Sequence, residues 1–422
     1  MSILNKKLND YRLILGGKEH VPIIQGGMGV DISTRKLAQK VASLGGIGTI
    51  SDALIHTIVD KEQKTRYVAN KLKKYKLEAD KLNKKAVQFD IEEIKEAQKK
   101  YVSETMAGKT GKGSIFINIM EKLTMNNPTE TLKARLNAAL DAGIDGITLS
   151  AGLHLKSLSL MKDNARFKEA SIGVIISSVR ALRLFLKRAT QVGRMPDFVV
   201  IEGPLAGGHL GFGIDNWHEA NLSTIFTEVI DFMKDKAFNI KIIPAGGIFT
   251  GTDAVKFLDL GAAAVQVATR FLVSKECGLP DKVKQKYIEA EEDDIEVNTV
   301  STTGYPMRML KNSPAIGAGI RPNCEAYGYL LNKEGNCSYI TAYNDELSKN
   351  PNAKKISVIN KTCLCTQMRK YNVWTCGATS WRLKDTVKKL PDGTYKLVPA
   401  EDIFKDLQFS TDNQINMPDL KE

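Results

Sequence analysis

A single histidine set among glycines, Gly207-Gly208-His209-Leu210-Gly211, is the group in this sequence best placed to do chemistry. Flanking glycines leave an imidazole accessible, and its ordinary pKa near neutrality lets it act as a base or a hydrogen-bond donor. It follows an apolar run that ends in a carboxylate, Glu202. A lone histidine is by default a structural residue, but a glycine setting just past a strand end favours catalysis. His20, His56, His154 and His218 lack that setting and are expected at the surface or in packing. Of these, His154 in the segment SAGLH is the next to check.

Two strand-to-loop turns come later, the first rich in glycine. Pro244-Ala245-Gly246-Gly247-Ile248 runs into Gly251-Thr252, and Gln266-Val267-Ala268-Thr269-Arg270 follows the next apolar run. Glycine lets backbone N–H groups approach a phosphate closely, and a helix start after the turn adds its positive dipole end. One such turn is weak evidence, since glycines also make tight turns. Two in adjacent units resemble the phosphate site that barrels build after their seventh and eighth strands. Near the start, Gly26-Gly27-Met28-Gly29 offers bare backbone to a flat ring; Met28 can pack on that ring or simply fill a gap in the core. Asn118 interrupts the apolar run IFINIM. A buried amide needs a partner, so Asn118 points to a ligand or to a neighbouring backbone group.

The elements that must position these groups are short β-rich runs alternating with helical patterns. Strands are predicted at 23–25, 47–51, 115–120, 146–150, 173–177, 198–202, 241–245 and 264–268. Helical periodicity is clear at 131–142, 179–192, 222–234 and 252–260, with Gly143, Gly193 and Gly261 where C-terminal caps belong. Eight β-α repeats with glycine-rich loops after the strands favour an α/β protein of the (β/α)8 TIM-barrel class over an open doubly wound sheet. Residues 1–59 and 113–293 would form that barrel. Residues 60–112 read as a charged helical insertion beside the mouth or against another subunit, with Ile91, Ile94 and Tyr101 as a sparse apolar stripe. Residues 294–422 read as a smaller, Cys-rich C-terminal lobe over the active-site face.

Composition is that of an ordinary soluble protein, 43% hydrophobic and 26% charged. No apolar run approaches the ~20 residues of a membrane span, and no secretory leader pattern opens the chain, so a cytoplasmic protein is expected. The net charge of +12 invites a nucleic-acid reading. Its distribution argues against one: residues 60–112 hold 15 Lys/Arg and 9 Asp/Glu, or +6, in a stretch of mixed sign. No strand interleaves aromatic and basic residues as nucleic-acid folds do. Of six cysteines, five fall late, at Cys324, Cys337, Cys363, Cys365 and Cys376, and C-x-C is too tight for a standard metal motif. Reduced, unpaired thiols and no bound metal are expected.

Taken in order, IIQGGMG, FINIM, EGPLAGGHLGF, PAGGIFTG and VQVATRF resemble the nitronate monooxygenase (2-nitropropane dioxygenase) family of FMN-dependent barrels, whose superfamily includes the flavin-dependent enoyl-acyl-carrier-protein reductases. The resemblance spans roughly 20–280, apart from the insertion. It implies FMN held by Gly26, Gly27, Met28 and Asn118, by Glu202 where many members have glutamine, and by Gly207 near the ring. Gly246, Gly247, Gln266, Val267, Ala268 and Thr269 would surround the phosphate, with Ala268 standing where glycine is usual. His209 matches the active-site histidine. The implied activity is oxidation of alkyl nitronates by dioxygen to a carbonyl compound and nitrite. The alternative on the same fold is NAD(P)H-dependent reduction of an enoyl thioester, its acidic acyl carrier protein docking on the positive insertion. In either case the partner is a small-molecule substrate, with neither nucleic acid nor membrane, in a monomer or a homodimer. A third reading, a non-enzymatic basic binding protein, leaves the glycine turns unexplained.

Overall fold

The computed structural model describes residues 5–81, 86–121, 126–322, 324, 336–353 and 356–420. Eight parallel strands close into a barrel in sequence order: β1 (Ile23–Gln25), β2 (Ile47–Ser51), β3 (Ser114–Met120), β4 (Gly146–Ser150), β5 (Ser171–Ile176), β6 (Phe198–Glu202), β7 (Lys241–Ala245) and β8 (Val265–Val267). The fold is the (β/α)8 barrel the alternation predicts. Helix Val179–Val192 has the bounds read from the sequence, and Gly193 ends it with φ +77.

Alternation along the strands sorts the side chains into two cores. Val199 and Ile201 face the outer helices, whereas Phe198 and Val200 join Ile24, Ile47, Phe116 and Ile243 inside the barrel. The rings of Phe116 and Phe198 stack with centroids 5.5 Å apart. Glycines make room for them: a Cβ on Gly146 would stand 2.6 Å from the Phe116 ring, and one on Gly173 would stand 2.2 Å from Phe198. An antiparallel hairpin, Leu13–Leu15 with Lys18–His20, places Leu13 and Leu15 against this inner core and stops the N-terminal end of the barrel. One layer further on, the inward positions turn polar at Ser51, Asn118, Glu202 and Gln266, and the register aligns Ser51 with Asn118 and sets both Glu202 and Gln266 beside Ala245.

Two outer helices come from places that local pattern does not reveal. Ile91–Ala107, inside the stretch read as an insertion, packs along Pro128–Asp141 and buries Ala97, Tyr101 and Val102 in the main core. It belongs to the outer ring; the shorter helices Ile55–Gln63, Tyr67–Lys74 and Lys76–Asp80 lead up to it. Many charges of this stretch pair with carboxylates or cations nearby, as in Lys95–Glu92, Lys100–Glu96 and Lys99–Asp141. Ala400–Phe409, in the stretch read as a separate lobe, packs between Arg35–Ser43 and Gly251–Asp259. Its buried face, Ile403, Phe404 and Leu407, thereby fills the ring position between the first and seventh outer helices.

The mouth is tied on one side by a buried ion pair. Asp52, just past β2, pairs with Arg135 on the helix Pro128–Asp141. Asp52 Oδ1 also accepts from the Met120 N–H (3.2 Å), and Arg135 Nη2 donates to the Met120 carbonyl (2.9 Å). The pair therefore fixes the end of β3, where Asn118 stands. Removing one partner of such a pair strands a buried charge and costs about 3–5 kcal/mol, against less than ~1 kcal/mol for an exposed pair. Urea unfolding should show that difference between Arg135→Ala and Lys95→Ala; equal costs for the two variants would contradict the role given to Arg135.

Candidate active site

The turn after β1 is held by groups that the sequence alone does not single out. Gln25, fully buried, accepts from the Thr49 N–H (3.0 Å) and donates to Ser33 Oγ (2.9 Å) and to the Gly26 carbonyl. Ser33 Oγ in turn accepts from the Met28 N–H (2.8 Å). The side chains of Gln25 and Ser33 thus shape the backbone of Gly26, which is buried, and of Gly27 and Met28, which are half-buried. Gly27 lies against Asn118, whose amide nitrogen would stand 2.9 Å from a Cβ there, and Gly26 lies against Gln266 and Ala268. The buried Asn118 Oδ1 has no hydrogen-bond partner among the described residues. The neighbouring backbone leaves this atom unsatisfied, which favours the ligand reading of Asn118.

Glu202 ends β6 pointing inward. Burial pushes its carboxyl from the ordinary 4.5 up to about 7. Beyond it, Gly208–His209 forms a short strand against Met307–Leu310, which pairs in turn with Ile295–Asn298. His209 Nε2 bonds Ser301 Oγ at 2.5 Å, and Ser301 Oγ bonds Thr303 Oγ1 at 2.8 Å. One ring nitrogen is committed to Ser301; Nδ1 remains for a ligand. Burial pushes the imidazole down to about 4, so it is neutral at pH 7. The stretch 299–306 that supplies Ser301 reads as featureless polar loop, and no local signal links it to His209.

The phosphate-type turns converge with the loop before His209. Gly246 and Gly247 have φ of +96 and +84, and side chains there would meet Ala206 and Leu205. Gly207 is backed by the Cys376 backbone, and Gly377 lies against Thr269 Oγ1. Ala378 N–H donates to the Leu205 carbonyl at 3.0 Å. Buried Arg308 holds the same loop, donating to the carbonyls of Pro204 and Ala206. A cavity of about 290 Å3 opens beside Gly246 and Gly247, walled by Leu205, Trp217 and Lys256. One expectation needs correction. The helix start at Gly251-Thr252 is closed: Thr250 Oγ1 accepts from the Asp253 N–H, Asp253 caps Phe249 and Thr250, and Thr252 Oγ1 accepts from the Asn413 N–H. That leaves the two glycines and the 266–269 turn facing the site.

The remaining histidines are structural or exposed. His154 bonds Ser157 Oγ (2.7 Å) and the Ser150 carbonyl (2.6 Å), which uses both ring nitrogens. His20 bonds Ser114, His56 packs edge-on to Tyr67, and His218 is exposed. Among the described residues no three His, Cys, Asp or Glu side chains gather as a metal site. Burial pushes Cys277 and Cys376 up to about 12, away from thiolate chemistry.

A closed parallel barrel that gathers an imidazole, a carboxyl and glycine turns at the C-terminal ends of its strands is laid out as a barrel enzyme. The model of the nitronate monooxygenase family matches residues 15–328. The chain belongs to that family. It is 25% identical to the probable nitronate monooxygenase of Staphylococcus saprophyticus over 299 residues, 69% of this chain and 76% of the relative. The fold is shared with FabK from Thermotoga maritima (TM-score 0.54, 19% identity, 95% and 93% of the two chains covered). It is shared too with the nitroalkane oxidase of Streptomyces ansochromogenes (TM-score 0.57, 16% identity, 92% and 94% covered). The family implies a flavin, and the chemistry of the mouth fits one. An unsatisfied buried amide oxygen, bare backbone at Gly26 and Gly27, and a carboxyl at Glu202 suit the polar edge of a flat ring.

The two shifted groups have opposite signs in the stability of the protein without ligand. Glu202 binds its proton more tightly folded than unfolded, so its contribution is full below about 4.5 and is lost as pH rises through 7. His209 binds its proton more weakly folded, so its contribution holds above 6.5 and is lost as pH falls through about 4. Thermal melting across pH should therefore show Glu202→Gln flattening the decline on the neutral side while leaving the acid side intact. A neutral-side decline identical to that of the wild type would contradict the placement of Glu202.

Proposed function

We propose that this protein is an FMN-dependent nitronate monooxygenase. Two alkyl nitronates and one dioxygen, the oxidant, give two carbonyl compounds and two nitrites: each carbon gains one oxygen atom of dioxygen as its C–N bond breaks and nitrite leaves. The observation that carries this reading is His209, neutral and tethered through Nε2 to Ser301, with Nδ1 uncommitted beside the mouth. FMN, when bound, supplies the electron transfer between nitronate and dioxygen. Gly26, Gly27, Met28 and Asn118 would hold its ring, with Glu202 and Gly207 at the ring's edge. Gly246, Gly247, Gln266, Val267, Ala268 and Thr269 would hold its phosphate.

The protein's own groups orient the anion and keep it dry. A neutral imidazole fixed through Nε2 presents Nδ1 to the nitro oxygens of a nitronate. An imidazole pushed down to about 4 is a weak base, which favours the preformed nitronate anion over a neutral nitroalkane that must first lose its α-proton. Glu202 assists while protonated, since a carboxylate there would repel the anion; turnover should fall as pH rises through about 7. The 299–306 loop touches His209 through Ser301 and the 376–378 segment packs on Gly207 and Thr269, so both would limit access of water.

Anaerobic mixing with propyl nitronate, NADH and NADPH in parallel tests the assignment. Bleaching of the flavin band at about 450 nm by the nitronate is expected, with slow or no bleaching by the nicotinamides. Rapid bleaching by NADH or NADPH, and none by the nitronate, would replace this reading with thioester reduction. His209→Ala should lower nitronate turnover by about 100-fold or more while flavin stays bound. Unchanged turnover would remove His209 from the reaction.

A further inference from the structure

The family match ends at residue 328, yet the helix Ala400–Phe409 reaches the two turns assigned to the phosphate. We propose that Asp406, acting through Arg270, is a positioning residue for the phosphate end of the cofactor site, and that the 400–417 segment is a working part of that site. This rests on the reading that the phosphate lies between Gly246-Gly247 and Gln266–Thr269.

Arg270 directly follows the β8 turn, and Phe249 follows the β7 turn by one residue. The buried guanidinium of Arg270 crosses between them, Nη1 donating to the Phe249 carbonyl at 3.0 Å. One side chain thus sets the spacing of the two turns. Burying that cation is costly unless it is paired. Its counter-charge is Asp406, which accepts from Nη2 at 2.8 Å on one oxygen. The other oxygen of Asp406 accepts from Ser410 Oγ (2.6 Å) and the Asn416 N–H (2.5 Å). Arg270 Nε is buried with no acceptor among the described residues, and the Arg382 guanidinium, 4.6 Å from the Phe249 ring, adds a second positive charge beside the pair.

A second tie runs the same way. Thr252 Oγ1 accepts from the Asn413 N–H at 2.9 Å, and Gly251 lies so close beneath the Leu407 carbonyl that a Cβ would stand 2.5 Å from it. The 400–417 segment therefore clamps the helix start that follows the β7 turn directly and the β8 turn through Arg270. Phosphate binding by backbone N–H groups depends on their convergence, so it suffers when the turns drift apart. Of the ring contacts, Gly26 touches the β8 turn at Gln266 and Ala268, while Gly27 and Asn118 lie away from both turns and are held by Gln25, Ser33 and the Asp52–Arg135 pair. The effect should follow the phosphate and spare the ring.

Titrating the full-length apoprotein with FMN and with riboflavin, which lacks the phosphate, separates the two contributions. The wild type should bind FMN more tightly than riboflavin. Asp406→Asn should cut that preference by about tenfold or more, through weaker FMN binding, with riboflavin affinity unchanged. Equal weakening of both flavins, or an unchanged ratio, would overturn the proposal and leave Asp406 a purely structural residue. Should Asp406→Asn not fold, Thr252→Val removes the second tie with the ion pair intact; it should lower the same ratio, and an unaltered ratio would again overturn the proposal. A wild type that binds riboflavin as tightly as FMN would instead remove the phosphate reading itself, and this inference with it.

Discussion

Closing eight parallel strands into a barrel forces successive side chains to alternate between the inner and outer cores, and that constraint creates the site. The inner positions are filled by apolar side chains, the stacked Phe116 and Phe198 among them, up to one layer below the strand ends. At the ends the strands diverge into loops and the inner positions become Asn118, Glu202 and Gln266. Polar groups there are half-removed from water, which costs free energy unless a ligand or the backbone satisfies them. The raised carboxyl of Glu202 and the unpartnered Asn118 oxygen both follow from this one placement.

Two buried ion pairs hold the mouth from different sides. Asp52–Arg135 fixes the end of β3, and Arg270–Asp406 links the turns after β7 and β8 to a helix more than a hundred residues further along the chain. Buried pairs are poor sources of net stability, because desolvation offsets most of the attraction. Their value lies in geometry: each guanidinium also donates to a backbone carbonyl at a strand end, Met120 or Phe249, so that a charge requirement becomes a positional one. The C-terminal stretch acts twice here, since its first part brings Ser301 to His209 and its last helix fills the outer ring.

Local chemistry made part of this legible. Strand ends, the run of glycine turns and the isolated His209 are written in consecutive residues, and helix Val179–Val192 follows from its periodicity and its glycine cap. The partners of those groups were not legible. Ser301 and Arg308 act across separations of 92 and 102 residues, and Gln25 and Ser33 act through nearby side-chain hydrogen bonds that no spacing encodes. The ring helices at Ile91–Ala107 and Ala400–Phe409 were assigned to an insertion and a lobe because amphipathic pattern tells which face is buried, not against what. The helix start at Gly251 looked available for the same reason: the segment that closes it lies near residue 413.

FMN in the mouth of this barrel would lie with its phosphate between the β7 and β8 turns and its ring beside Asn118 and Glu202, within reach of His209 Nδ1. Crystals of the protein soaked with FMN test that placement most directly, through the difference electron density. The account predicts a phosphate peak among Gly246, Gly247 and Thr269, and a ring over Gly26 and Gly27 with an edge atom facing Asn118 Oδ1. Density for the flavin elsewhere on the barrel, or a ring on the far side of the mouth from Asn118, would contradict it.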